Sequence, residues 1–466
     1  MNDIVSSTRL KAHTINLDPT TYGAFAEIGA GQEVARWFFQ VGGAAKTVAK
    51  SISAYDMAVS DALYGAAQRY VSRERLQAML DQEFTQLVEG LGSTRGTTTA
   101  FFAFADTVAT RRQGHSESGR GWIGIRFQTE PLGPPSQIIL HAHLLDTTAV
   151  LEQQTMGVLG VNLIHAAFYH RQDLPALIGS LMDDLSREHI DIDVIKVSGP
   201  AFADVDNRLL SLQLVEQQLT DAAMFTAAGE VVQPSEVLYK KPVMVVRGSF
   251  RPATKLTMDL LERGREQFLE EPEVHGSEAV VLAEMTLHNL LTGSSIDHED
   301  FLARAQILHV LGIDVLISRF QPFYQLADYL AGYTDQTIGI AIGVPAMRDI
   351  LDEQYYDELE GGALESIGRL FKRSVKMYVY PTLDAATGQI VSLDNAPMPP
   401  PGHHMRDLLL DLGRIEPLQC SDPQHLAIRT PDVLARLQSG DPSWEDCVPP
   451  AVVQIIKEQK LLGCPG

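Results

Sequence analysis

VMVVRGSFRP, residues 243–252, carries the reading that decides the fold. Val243, Met244, Val245 and Val246 form an unbroken apolar run, which marks a strand buried on both faces. Arg247 and Gly248 end the run. Pro252 then sits where an opening helical turn tolerates a missing N–H, and helix-like spacing follows. The same punctuation recurs. IDVIKVSGP ends at Pro200, DVLISRFQP at Pro322, TIGIAIGVP at Pro345 and VKMYVYP at Pro381, while AVVLAEMT (279–286) leads into HNLL. Helical stretches fall at 253–269, 299–311, 323–332 and 346–354. Short apolar strands alternating with helices predict an α/β architecture, with a mainly parallel sheet and flanking helices from residue 191 onward.

The first half reads differently. Up to about residue 90 it is mainly helical. The stretch Glu33 to Tyr70 is rich in Ala and free of Pro, and the glycines of this first part gather at Gly23, Gly29, Gly31, Gly42 and Gly43. Residues 68–91 place Leu76, Met79, Leu80, Phe84, Leu87 and Val88 on one helical face. Additional strands follow at 101–109, 121–128 and 137–145, separated by the polar loops GHSESGRG (114–121) and EPLGPPSQ (130–137). Helices are predicted at 147–169 and 174–187. The expected domains are therefore 1–190, 191–394 and 395–466. The last opens with the linker-like NAPMPPPGHH (395–404), which includes His403 and His404, and continues as a helical tail with Thr430 as N-cap and Pro431 at N1. This tail is expected to pack on the body or on a neighbouring subunit. With the Ala/Gly-rich N-terminus, it predicts a homo-oligomer.

Composition narrows the function. The chain has 466 residues, a formal charge of −22 and 45% hydrophobic residues. A surface this acidic repels nucleic-acid backbone and anionic lipid, so neither is expected as a partner. The start, MNDIVSSTRLKAH, lacks the charged-then-apolar layout of a signal peptide. The least polar stretch, 155–169, falls short of the ~18–20 residues that span a bilayer. Cys420, Cys447 and Cys464 are odd in number and lack CxxC spacing, which fits a reduced cytoplasm.

Ligands of open parallel sheets bind beyond the C-terminal ends of the strands. Those ends carry Lys196, Ser198 and Gly199; Arg247, Gly248, Ser249 and Arg251; Glu284 and Thr286; Ser318 and Arg319; and Gly343. Four bases at these positions in an acidic protein point to an anionic small molecule, a phosphate or a nucleotide. The competing reading pairs the arginines with Glu284 or other carboxylates to tie strands together.

GSFRPATKLTMDLL (248–261) resembles the signature of the phosphopantetheine and nicotinate-nucleotide adenylyltransferases. There a Gly-Ser/Thr-Phe-Asp-Pro turn closes the first strand, and a T/H-x-G-H motif opens the next helix and binds the ATP phosphates. Gly248, Ser249, Phe250, Pro252, Thr254 and Asp259 agree with that pattern. Arg251 replaces its Asp, Leu256 its Gly and Thr257 its second His. The second signature of that family, a Ser-Ser/Thr-x-x-Arg, is not evident. More broadly, YGAFAEIGAGQEVARWFFQVGGAAKTVAKSISAYD, GVLGVNLIHAAFYH, DNRLLSLQLVEQQLTDAAMF, PSEVLYKKPVMVVRGSFRP and LEGGALESIGRLF resemble a large bacterial family of similar length. Its members usually bear the name nicotinate-nucleotide adenylyltransferase and sometimes TonB-dependent receptor. The receptor name conflicts with the lack of alternating barrel strands. The resemblance implies ATP or another nucleotide with Mg²⁺, and adenylyl transfer to a nicotinate-type nucleotide. Arg247, Gly248, Ser249, Arg251, Thr254, Lys255, Glu284 and Arg319 would then form the site.

Three further patterns carry chemistry. His141-x-His143 puts two imidazoles on one strand face, and Asp146, His165 or His170 would complete a metal site. Asp204 and Asp206 are placed either to hold Mg²⁺ or, for Asp206, to cap a helix. Gly361-Gly362 forms either an anion nest or a tight turn. Around Lys46-Thr47 and Lys50-Ser51 the glycines of a Walker A loop are missing, so Gly42, Ala44, Ala45 and Ala49 are expected to serve helix packing. Besides the nucleotide-binding enzyme, a non-catalytic nucleotide-binding or regulatory protein and a metal-dependent enzyme of another class stay open.

Overall fold

The computed structural model describes residues 7–29, 33–112, 118–356, 358–398, 400 and 402–465. Gly31, the segment 114–117 of the polar loop, and Pro399 and Pro401 lie outside the described residues. The chain forms two compact units, Met1–Thr220 and Asp221–Gly466. The boundary falls later than the expected 190/191, because the strand at 190–198 completes the first sheet instead of opening the second. Residues 395–466 belong to the second unit.

Unit 1 is built on six strands: β1 (Thr21–Ile28), β2 (Val48–Ser53), β3 (Ala100–Ala109), β4 (Gly119–Gln128), β5 (Pro135–Leu144) and β6 (Ile190–Ser198), in the order β2-β1-β3-β4-β5-β6. β2, β1 and β3 run parallel, and β3 to β6 run antiparallel. One face packs with α1 (Ser7–Leu17), α2 (Glu33–Gln40) and the buried α4 (Ala149–Tyr169) around Phe25, Phe102, Phe104 and Phe127. The other face carries α3 (Arg73–Arg95), whose Leu76, Met79, Leu80, Phe84 and Leu87 are buried as the helical spacing predicts.

The helical reading of residues 1–90 is corrected at two places, β1 and β2. Helix propensity is a weak prior, and burial beside neighbouring strands overrides the Ala and Gly content of TYGAFAEI. Gly23 shows the constraint: a Cβ there would lie 2.4 Å from the Phe102 ring. Gly42 and Ala44–Lys46 form a turn and a 3₁₀ segment before β2, so they do not pack as a helix. In α4 the polar Asn162 is satisfied inside the core. It donates to the carbonyls of Leu181 (2.9 Å) and Asp183 (2.8 Å) and accepts from Lys11 Nζ at 2.8 Å. Among the described residues no helix is long and apolar enough to cross a membrane. Asp206 caps α5 (Asn207–Glu216), accepting from the Arg208 N–H at 2.9 Å, which is the capping alternative.

Unit 2 contains the predicted parallel sheet. Its strands are β7 (Ala222–Phe225), β8 (Val231–Val232), β9 (Val243–Arg247), β10 (Val280–Thr286), β11 (Asp314–Ser318), β12 (Ile338–Gly343), β13 (Val375–Tyr380) and β14 (Ile415–Pro417). They stand in the order β14-β13-β12-β9-β10-β11-β7-β8, with β7 and β8 antiparallel at one edge. Numbered from β9 as the first, the six parallel strands read 6-5-4-1-2-3, the order of a doubly wound sheet. The crossover helices include α6 (Lys255–Glu270), α7 (His298–Val310), α8 (Phe323–Leu330) and α9 (Val344–Ile350). α6 lies close on the sheet: a Cβ at Gly264 would meet Met244 Cε at 2.5 Å and Ala341 Cβ at 3.0 Å. The helices α10 (Gly362–Leu370), α11 (Gly402–Asp411), α12 (Thr430–Ser439) and α13 (Pro450–Gln459) follow. His403 and His404 are in α11, not in a linker, and the N-cap of α12 is Arg429 instead of Thr430. The tail packs on the body of unit 2, with α13 against α7.

Candidate functional site

In a doubly wound order the switch point lies where the crossovers reverse, here between β9 and β12. The VMVVRGSFRP stretch ends there. Its turn lies between the first parallel strand of unit 2 and the helix after it.

The arginines are engaged by carboxylates. Glu284 is fully buried at the end of β10. Arg247 donates to it from Nε (2.7 Å) and Nη2 (3.1 Å), and Ser318 Oγ donates to Glu284 Oε1 at 2.6 Å. Arg247 also donates to the Gln321 carbonyl at 2.6 Å and lies 4.1 Å over the Phe323 ring. Arg251 Nε donates to Asp300 Oδ1 at 2.6 Å, and Asp300 also takes the buried Arg304 at 2.6 Å. Arg304 reaches the carbonyls of Asn289 (2.7 Å) and Ser249 (3.2 Å), so it clamps the turn from outside. Arg319 sits 3.6 Å from Asp221, and the Gly248 N–H donates to the Glu284 carbonyl at 3.0 Å. The strand-tying reading therefore describes Arg247, Gly248 and Glu284, whereas Arg251 ties the turn to α7 through Asp300. Thr254 is buried and caps α6, accepting from the Thr257 N–H at 3.3 Å. Asp259 accepts from the Ser421 N–H at 2.9 Å and from the Tyr380 hydroxyl. Burial alone would raise its pKa, but these hydrogen bonds outweigh burial and hold it below the usual carboxylate range. Lys196 and Ser198 lie on β6 of unit 1, so they are not part of this edge. Gly361 is a turn, with its N–H donating to Glu365 at 3.0 Å, and it forms no anion nest.

Two clefts flank the 248–254 turn. One, of about 340 Å³, lies beyond the ends of β9, β10, β11 and β12. Arg247, His288, Asn289, Phe320, Asp349 and Tyr355 line it. It shares Phe320, Gln321, Tyr355 and Tyr356 with a larger groove of about 1200 Å³. With Arg247 neutralised by Glu284, the first cleft is aromatic and mildly acidic, which suits a flat ring with hydroxyls better than a phosphate. The other cleft, of about 350 Å³, lies at the start of α6. Lys255, His425, Arg429 and Arg436 line it together with Asp432 and Asp446. Among the described residues Lys255, Arg429 and Arg436 make no side-chain hydrogen bond or ion pair. Among the described residues expected to form this site, Lys255 is the cation without a side-chain partner. Arg429 and Arg436 were missed because the tail gave no signature of its own. Arg304 was legible only as the i+4 partner of Asp300.

In unit 1, β5 presents His141 and His143 on the face away from the Phe core, and Asp193 on β6 joins them. His141 Nδ1 lies 2.6 Å from Asp193 Oδ1, and His143 Nε2 lies 3.2 Å from Asp193 Oδ2. Burial would raise the Asp193 pKa, but the two imidazoles outweigh it and hold it well below the usual range. Burial pulls His143 down, and Asp193 more than reverses that. The other expected partners do not join. Asp146 accepts from Thr155 at 2.6 Å, while His165 stacks on Tyr169 (4.6 Å) near His170. Unit 1 also holds a buried acid pair that sequence reading missed: Glu27 on β1 and Asp106 on β3 are register partners. Glu27 accepts from the Val34 N–H (2.9 Å) and the Ala35 N–H (3.2 Å) at the start of α2, and Asp106 Oδ1 is buried with no partner among the described residues.

No family model and no curated protein matches the chain. Among solved structures, similarity is found to the competence/damage-inducible protein CihA from Agrobacterium tumefaciens, at 16% identity over 36% of this chain and 98% of that one, with a TM-score of 0.26. A competence or damage-inducible protein from Enterobacter asburiae gives 10% identity, 36% and 99% coverage and a TM-score of 0.24. A CinA superfamily protein from Enterobacter cloacae gives 9%, 36% and 95%, with a TM-score of 0.25. Scores this low are insufficient to establish a shared fold.

Proposed function

We propose that unit 2 binds a nucleotide or a phosphorylated small molecule at the C-terminal edge of its sheet. The observation that carries this is the 6-5-4-1-2-3 strand order with a cleft lying beyond the ends of the strands at its switch point. In this reading the ring of the ligand lies against Phe320 and Tyr355, and its phosphates meet Lys255, Arg429 and Arg436. ATP is the first ligand to test. Among the described residues Asp432 and Asp446 have no side-chain partner beside those cations, a donor set that fits Mg²⁺ held against phosphate oxygens. The finer reading is adenylyl transfer to a nicotinate-type nucleotide. Thr257 carries no charge where the resembling enzymes have a histidine, so Lys255 and Arg429 would supply the positive charge that phosphoryl chemistry needs.

Titration calorimetry with ATP and Mg²⁺ tests binding. Lys255→Ala and Arg429→Ala are each expected to weaken it about tenfold, equivalent to about 1.4 kcal/mol. An assay for pyrophosphate with ATP, Mg²⁺ and nicotinate mononucleotide tests transfer. Binding without pyrophosphate would assign a non-catalytic nucleotide-binding role. Absence of ATP binding, or binding indifferent to both substitutions, overturns the proposal.

A further inference from the structure

We propose that His141, His143 and Asp193 form a site for one divalent transition-metal ion, with zinc the best match. The inference concerns unit 1 and stands apart from the nucleotide reading of unit 2.

The backbone brings the three groups together. Alternation along β5 puts His141 and His143 on one face. On β6, His141 pairs with Val194 and Ala142 with Ile192, so the register skips Asp193. Ile190, Ile192, Ile195 and Val197 all face the Phe core, which confirms that the alternation slips by one residue at this bulge. A bulge inserts an unpaired residue and re-aims its side chain, and such features recur beside functional sites. Here the added residue is a carboxylate that touches both imidazoles.

The chemistry matches. Two imidazole nitrogens and a carboxylate are borderline ligands of the kind zinc takes, and three protein ligands leave a fourth position open. The three donor atoms lie within 4.8 Å of one another. Tetrahedral ligands about 2.0–2.1 Å from a shared ion stand about 3.3 Å apart. The 3.2 Å contact of His143, to Asp193 Oδ2, already has about that span; the 2.6 Å contact of His141 is to the other oxygen, Oδ1, so the carboxylate would turn to present one oxygen to a shared ion. His141 and Asp193 are buried, at 0% and 1% exposure, whereas the His143 side chain is 26% exposed and offers a way in. Trp122 packs 4.9 Å from the His141 ring and limits water on that side.

The full-length chain, stripped with chelator and re-equilibrated with Zn²⁺, is analysed for bound metal by mass spectrometry. Co²⁺ serves as a visible reporter of tetrahedral nitrogen–oxygen ligation. One ion per chain is expected. His143→Gln at the partly exposed position, and Asp193→Asn, are each expected to weaken binding by about 100-fold or more, at least the upper loss seen for groups that only support a ligand. His165→Gln, outside the cluster, should leave it unchanged. Near-ultraviolet circular dichroism of His143→Gln separates loss of metal from loss of fold. No stoichiometric ion in the wild-type chain, or full binding in a folded His143→Gln protein, overturns the assignment and leaves a hydrogen-bonded His–Asp–His network.

Discussion

Glu27 and Asp106 show how far a single residue's environment can depart from its sequence. Glu27 is raised from 4.5 to about 7, first by burial, with the charge of Glu33 adding to it and the Val34 and Ala35 N–H groups opposing it. Burial and the Glu27 charge raise Asp106 well above the usual range. Over the window from 4.5 to about 7, the folded state keeps protons that the unfolded chain has released, so stability falls as pH rises through it. The melting temperature of unit 1 is expected to drop between about pH 5 and pH 7.5, and Glu27→Gln to flatten that drop. A drop of equal size in both proteins would remove the pair as its cause. No sequence pattern announced this pair, since Glu27 and Asp106 are 79 positions apart and meet only because β1 lies beside β3. The same reason hid Asp193, whereas His141 and His143 were legible because alternation within one strand is a local rule. Lys255 was legible for a similar local reason, in a turn between strand and helix.

At the scale of elements, Glu284 joins three strands by holding Arg247 of β9 and Ser318 of β11. Removing one member of a buried pair leaves a charge that nothing compensates. Arg247→Ala is therefore expected to destabilise unit 2 by about 3–5 kcal/mol, read from urea unfolding. A loss below about 1 kcal/mol would mean that solvent reaches Glu284. Arg247 is consequently a poor reporter of ligand binding, and Lys255 a good one. At this scale the sequence was most readable where strands are apolar throughout: β9, β10, β11, β12 and β13 stand where their runs predicted. It was least readable at β1, β2 and β6. In the first two, Ala and Gly suggest a helix that packing forbids. In the third, an apolar run followed by Gly and Pro imitates the strands of a parallel sheet, and only pairing with β5 reveals its antiparallel sense.

At the scale of the molecule, each unit has its own core of buried side chains. Residues 221–466 produced alone are therefore expected to unfold cooperatively in urea and to keep the ATP affinity of the full chain. A gradual, non-cooperative unfolding curve would count against an autonomous unit. The α/β class and the parallel sheet were legible from local punctuation. The strand order was not, because a run of alternating strands and helices does not say on which side of β9 each new strand is added. The candidate anion cleft shares that limit: Lys255 opens α6, and Arg429 and Arg436 belong to the tail. Arg436 follows Lys255 by 436 − 255 = 181 positions. At roughly 5–20 residues per second, a ribosome needs on the order of ten to forty seconds to cross that interval. A nascent chain thus exposes the start of α6 long before the cations that face it exist, and it acquires its pocket only after Arg436 has been made.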